Sequence, residues 1–164
     1  MILIAAAARL IPHPPDFSPL AAMALFGGAS FASKRTAFLA PFAGLLLSDF
    51  VLGFYAITPV VYASFALIVC LGFWVRQHPS VRRIAGAALA SAILFFVISN
   101  FGVWAIDHWY PKTPAGLAEC YAAAIPFFKN TLLSNLLYSA LLFGGLWLAE
   151  NRLVWLRERP AAAV

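Results

Sequence analysis

Asn130, Thr131, Ser134, Asn135 and Tyr138, with Phe127 among them, fall within an arc of about 140° if the last apolar stretch is a helix turning 100° per residue. Amides and hydroxyls arranged in this way hold a solute through neutral hydrogen bonds. The same groups also bridge membrane helices, at roughly 0.6 kcal/mol per bond. Two asparagines, a threonine, a serine and a tyrosine exceed what packing needs, which favours the lining of a pocket. Asn100 repeats the chemistry on another stretch, with Phe96 and Trp104 one turn to either side. Asp49 adds a carboxylate inside LLLSDFVL and needs a partner, a proton or a bound cation. Lys129 and Arg9 lie at a reachable depth. Lys129 itself points away from the polar arc, as a side chain snorkelling to the headgroups would.

The chain around these residues has 164 positions, 63% hydrophobic and 10% charged. Its mean hydropathy is +0.89. A soluble domain carries roughly a quarter charged residues, so the expected setting is a lipid bilayer. The net charge of +5 comes from Lys and Arg scattered between apolar runs. That scatter excludes a nucleic-acid face and reads as topology signals. Cys70 and Cys120 match no metal or redox spacing.

Six helical segments are predicted, over residues 1–11, 18–32, 36–55, 58–75, 84–106 and 126–150. Ser18-Pro19, Thr58-Pro59 and Thr113-Pro114 each pair a capping residue with a proline suited to a helix start. The third pair predicts a short interfacial helix in the loop 107–124. Crossing ~30 Å of hydrocarbon takes about 20 residues. The last four segments reach that length. The first does not, which leaves either a half-helix inside the bundle or a start upstream of Met1. The fold expected is an all-α integral membrane bundle of six helices with a short first helix. Residues 1–156 form one transmembrane domain, and 157–164 a cytoplasmic tail.

Lys34 and Arg35, then Arg76, Arg82 and Arg83, then Arg152, Arg157 and Arg159 fall on one side of that bundle. By the positive-inside rule this side is cytoplasmic. It puts the C-terminus inside, and the N-terminus too if the first segment crosses. Asp49, Asn100, Lys129, Asn130 and Asn135 are then expected together toward the outer face. A polar cluster there must face protein or water rather than lipid.

No phosphate-binding loop, zinc-protease motif or nucleophile elbow occurs. No cofactor is expected and no catalytic set emerges. His13 and Cys120 are weak metal candidates, and Cys70 is expected in the core.

Four runs resemble the motifs of an uncharacterised family of small bacterial membrane proteins described as transport proteins. They are RLIPHPPDFSPLAAMALFGGA at 9–29, LSDFVLGFY at 47–55, ISNFGVW at 98–104 and CYAAAIPFFKNTL at 120–132. Where that family carries Asp after Gly in the last helix, this chain has Ser134-Asn135. The family is in turn similar to the substrate-binding S components of energy-coupling-factor (ECF) vitamin transporters. That resemblance implies six helices, both termini inside and a vitamin site near the outer face. It also implies an Ala-rich first helix docking on a coupling subunit driven by ATPases, in a bacterial inner membrane.

The reading that follows is an S-component-like protein that takes a small micronutrient, such as a vitamin, from outside. Asp49, Asn100, Asn130, Thr131 and Asn135 would bond it between walls of Trp104, Phe127 and Tyr138. Energy would come from a partner or from trapping. The alternatives are a membrane-embedded enzyme using Asp49 with a His or Lys as acid and base, and a structural subunit of a membrane complex.

Overall fold

The computed structural model describes residues 17–152. Their regular elements are all helices, with no strand among them: α1 Leu20–Ser30, α2 Lys34–Leu52, α3 Thr58–Gln77, α4 Val81–Ile106 and α5 Pro114–Arg152. The last four are long and apolar enough to cross a membrane. That length and apolarity fit a membrane protein. Five helices stand where six are predicted, because the first segment lies in 1–11, outside the described residues.

The helix starts follow local chemistry. Ser18 Oγ accepts the Leu20 N–H at 3.4 Å, Ser80 Oγ that of Arg83 at 3.2 Å, and Thr113 Oγ1 that of Gly116 at 3.1 Å. Each satisfies a donor with no partner inside its helix. Ser80 therefore starts α4 at Val81, three residues earlier than expected. Gly53, at φ +95°, stops α2 at Leu52, short of the Tyr55 boundary. A residue there must enter a region that glycine tolerates and β-carbons do not.

The largest departure concerns α5. The part of the loop 107–124 from Pro114 onward and the segment 126–150 are one helix of 39 residues that runs through Pro126. A proline inside a helix removes one hydrogen bond and crowds the carbonyl four residues back. Within a membrane such a position persists when neighbouring groups compensate. The Thr113-Pro114 start is real, but it opens the spanning helix itself rather than a separate interfacial one.

α1 is the shortest element and the most enclosed. Leu20 through Gly28 are all buried. Its residues are apolar on every side, the pattern of a helix surrounded by protein. At ~1.5 Å per residue it is about 16 Å long, half of a bilayer core. The longer helices complete its environment: α1 packs most against α3, then against α2 and α5. Leu25, Leu45, Ile68, Val69 and Val75 form the fully buried centre.

α1 and α3 touch backbone to backbone. A β-carbon on Gly28 would lie 2.1 Å from the Val69 carbonyl oxygen, and one on Gly72 would lie 2.4 Å from that of Leu25. On the other side, Pro41 gives no N–H to the carbonyl of Ala37. Gly27 rests against that oxygen, where a β-carbon would come within 3.1 Å. At the end of α1, Arg76 Nη1 donates to the carbonyls of Phe31 and Ala32 at 2.8 and 3.2 Å. The arginine thus satisfies orphan carbonyls. At the same basic end, Arg83 lies 4.8 Å from the Trp74 ring, joining α4 to α3.

Candidate functional site

α4 and α5 run antiparallel, and two hydrogen bonds set their register. Cys120 Sγ donates to the Asn100 carbonyl at 3.4 Å, and Asn135 Nδ2 to that of Ala88 at 2.9 Å. Between the parts of these helices near their connection and the start of α3 lies a cavity of about 370 Å³. α4 lines it with Phe95, Phe96, Ser99, Asn100 and Val103. α5 contributes Cys120, Ala123, Ala124, Phe127, Phe128 and Thr131. Ile57, Val61 and Tyr110 close the remaining sides. It sits at the end of the bundle opposite the basic turns. A second cavity of about 320 Å³ adjoins it and shares Val61, Phe95 and Thr131. Ser18 and Leu20 of the α1 start, Leu45 and Leu52 of α2, and Ser134 line that one.

The α4 wall comes from periodicity. Phe95, Phe96, Ser99, Asn100 and Val103 recur at steps of three and four, so they share one helix face. Ser99 Oγ donates to the Phe95 carbonyl at 2.6 Å, and Asn100 Nδ2 to that of Phe96 at 2.8 Å. These bonds pin both side chains along the helix. Asn100 and Thr131 are then polar residues on facing walls, with Tyr110 and Cys120 also lining the cavity. Phe96 and Phe128 pack at 4.7 Å between centroids, and Phe96 and Tyr121 at 5.6 Å. Tyr121 Oη donates to the Val97 carbonyl at 2.7 Å, which holds the top of α5 to α4.

The connection above the cavity is held from below. Trp104 Nε1 donates to the Pro111 carbonyl at 3.0 Å. A β-carbon on Gly116 would lie 2.1 Å from that same oxygen, so only glycine admits the turn. Lys112 Nζ donates to the carbonyls of Trp104 and Asp107. It caps the end of α4, where a cation also meets the negative end of the helix dipole.

The structure brings together part of the residue set expected from sequence. Asn100, Phe127 and Thr131 line the larger cavity. Trp104 serves the α4–α5 connection instead. Asp49 is buried in α2, where its Oδ2 accepts from Tyr62 Oη at 3.0 Å. Asn130 is partly buried, outside both cavity walls. Tyr138 packs against Phe17 at 5.8 Å. Asn135 is buried at 1% exposure and binds α4 at Ala88. Ala88 and Asn100 are twelve residues apart, about 18 Å along the helix. The single level expected for Asn100 and Asn135 is therefore two levels. The early start of α5 is the reason, since it pushes every residue of the last segment deeper. Lys129 is exposed on α5. Cys70, expected in the core, is exposed, and Cys120 is buried at the cavity. His108 lies exposed in the α4–α5 connection. Arg9, His13 and Asp16 lie outside the described residues.

Sequence reasoning passed over Ser99, Phe95, Phe128, Tyr110 and Val61. The α4 members were visible as a stripe at helical spacing around Asn100. Val61 and Tyr110 carried no such signal. Among the described residues, no three His, Cys, Asp or Glu side chains converge on a metal position.

The Tyr62–Asp49 bond gives a direct prediction. Tyr62→Phe removes a donor from a buried carboxylate, and hydrogen bonds to such groups contribute about 1.5–3 kcal/mol. The expected result is a lower unfolding midpoint in mixed detergent micelles. An unchanged midpoint would show that the bond contributes nothing.

Over residues 1–161 the sequence matches the model of a family of unknown function (DUF6580). No curated protein and no solved structure matches it.

Proposed function

We propose that this chain, which belongs to the family of unknown function DUF6580, binds a small uncharged solute in the paired cavities as a step in its transport. The observation that carries this reading is the composition of the cavity walls. Amide, hydroxyl and thiol groups sit among phenylalanines, and no Asp, Glu, Lys, Arg or His lines either cavity among the described residues. Small-molecule sites have this make-up, mostly apolar with a few placed polar groups. Each neutral hydrogen bond contributes about 0.5–1.5 kcal/mol, and the aromatic walls supply the remainder by burial. A charged solute would enter such a site without a counter-charge, so an uncharged, flat micronutrient fits best, a vitamin among the candidates.

The positive-inside rule orients the site. Lys34, Arg35, Arg76, Arg82, Arg83 and Arg152 mark the cytoplasmic end. The cavities then open toward the outer face of a bacterial inner membrane, and the solute enters between the α2–α3 and α4–α5 connections. This arrangement supports the similarity to ECF S components, with energy drawn from a coupling subunit or from trapping inside. The acid–base alternative has less support: Asp49 is held by Tyr62, and among the described residues no carboxylate or imidazole lines either cavity.

The test is purification from native membrane in mild detergent, with mass spectrometry of the small molecules that accompany the protein. Thermal melting across a panel of vitamins runs in parallel. A bound solute at a hundredfold excess over its Kd stabilises by about 2.7 kcal/mol. The reading fails if no small molecule is recovered and no compound raises the melting temperature.

A further inference from the structure

The outward face of α5 carries an exposed cation far from either end of the neighbouring helix α4. Lys129 is exposed. In sequence it lies between Cys120 and Asn135, whose bonds to Asn100 and Ala88 fix the register of α5 on α4. Interpolating between them sets Lys129 level with Ile93, at the middle of Val81–Ile106. At ~1.5 Å per residue this is roughly 18–20 Å from either end of α4.

Its direction follows from helix geometry. Nine residues separate Lys129 from Cys120, a rotation of about 180° at 100° per residue. Cys120 faces α4, so Lys129 points away from the bundle. Ile125 and Leu133 beside it are 62% and 58% exposed. Further along the same face, Ala140 is exposed and a β-carbon on Gly144 would meet nothing within 4 Å. Small residues of this kind let a neighbouring helix approach closely.

Acyl chains offer an ammonium group neither charge nor hydrogen bonds, and ionisable groups at such depth pair with one another. A second copy of the chain does not supply the counter-charge from its described residues. Copies inserted in the same orientation keep each residue at its own depth. Asp107, Glu119 and Glu150 lie toward the ends of their helices, and Asp49 is buried beneath Tyr62. We propose that the Lys129 face of α5 docks a transmembrane helix of a different membrane protein, one presenting a carboxylate at mid-depth. The inference stands apart from the solute reading, since Lys129 lies opposite the cavity.

The test uses native membranes containing the full chain. A membrane-permeant carbodiimide joins an amine to a carboxylate in contact with it. The chain is then purified and its Lys129 peptide sequenced by mass spectrometry. The expected product is an amide between Lys129 and an Asp or Glu inside an apolar segment of another protein. Lys129→Met should abolish the product and reduce co-purification of that protein on the order of tenfold or more. Lys129→Arg should restore co-purification without the amide. Melting of each variant checks that the fold persists. Lys129 left uncoupled, coupling to a carboxylate of this same chain, or co-purification indifferent to Lys129→Met would overturn the proposal.

Discussion

Gly72→Ala is expected to produce a large loss of stability for a single added methyl. The added carbon would lie 2.4 Å from the Leu25 oxygen and 2.7 Å from the Gly28 α-carbon. Both are backbone atoms, so no rotamer change relieves the clash. The helices must separate, and α1 has no second place to go because long helices enclose it. Overpacking of this kind costs on the order of 3 kcal/mol, a fall in melting temperature of roughly 6–12 °C for a chain of this size. Gly28→Ala should match it, since its β-carbon would meet the Val69 oxygen at 2.1 Å. Gly86→Ala is the counterpart, because nothing lies within 4 Å of its β-carbon position. There the alanine gains roughly 0.5–1 kcal/mol from backbone entropy. If Gly72→Ala melted with the wild-type protein, the crossing of α1 and α3 described above would be wrong.

Ala124→Trp should abolish solute binding while leaving the empty protein folded. Ala124 lines the larger cavity from α5 and is only partly buried, so the indole has space to enter. It would occupy the volume between Phe96, Asn100 and Thr131. The ligand-dependent stabilisation of about 2.7 kcal/mol expected at a hundredfold excess over Kd should disappear. Asn100→Leu should act more mildly. It removes one polar contact, worth about 1 kcal/mol, and so weakens affinity several-fold. Binding that survives Ala124→Trp unchanged would place the solute elsewhere. Retained binding in Asn100→Leu alone would reassign only that residue.

Much of the architecture was legible because a bilayer enforces one solution. Backbone groups in hydrocarbon must bond within their own helix, so apolar length translates directly into spans. The cap-and-proline pairs at Ser18 and Thr113 marked true starts through bonds to the first helical N–H groups, whereas Thr58 opens its helix without capping it and its hydroxyl accepts from the Tyr55 N–H instead. Pro126 misled because proline reads as a break, whereas packing against α4 carries the helix through it. That one boundary moved Asn135 away from Asn100 and took Lys129 level with the middle of α4. Trp104 belonged to the Asn100 stripe in sequence, yet its indole N–H found the Pro111 carbonyl, a contact set by the turn.

What the amino-acid sequence determined alone is therefore the set of membrane-length helices, their basic end and their neutral polar residues. Each of these depends on a chain segment only a few turns long. The tertiary structure alone decided which residues meet. Gly28 reaches Gly72, Tyr62 reaches Asp49, and Phe95, Asn100 and Thr131 share a cavity. Such pairings depend on the crossing and register of helices distant in sequence, and close packing of backbone against backbone settles those only once every helix is in place.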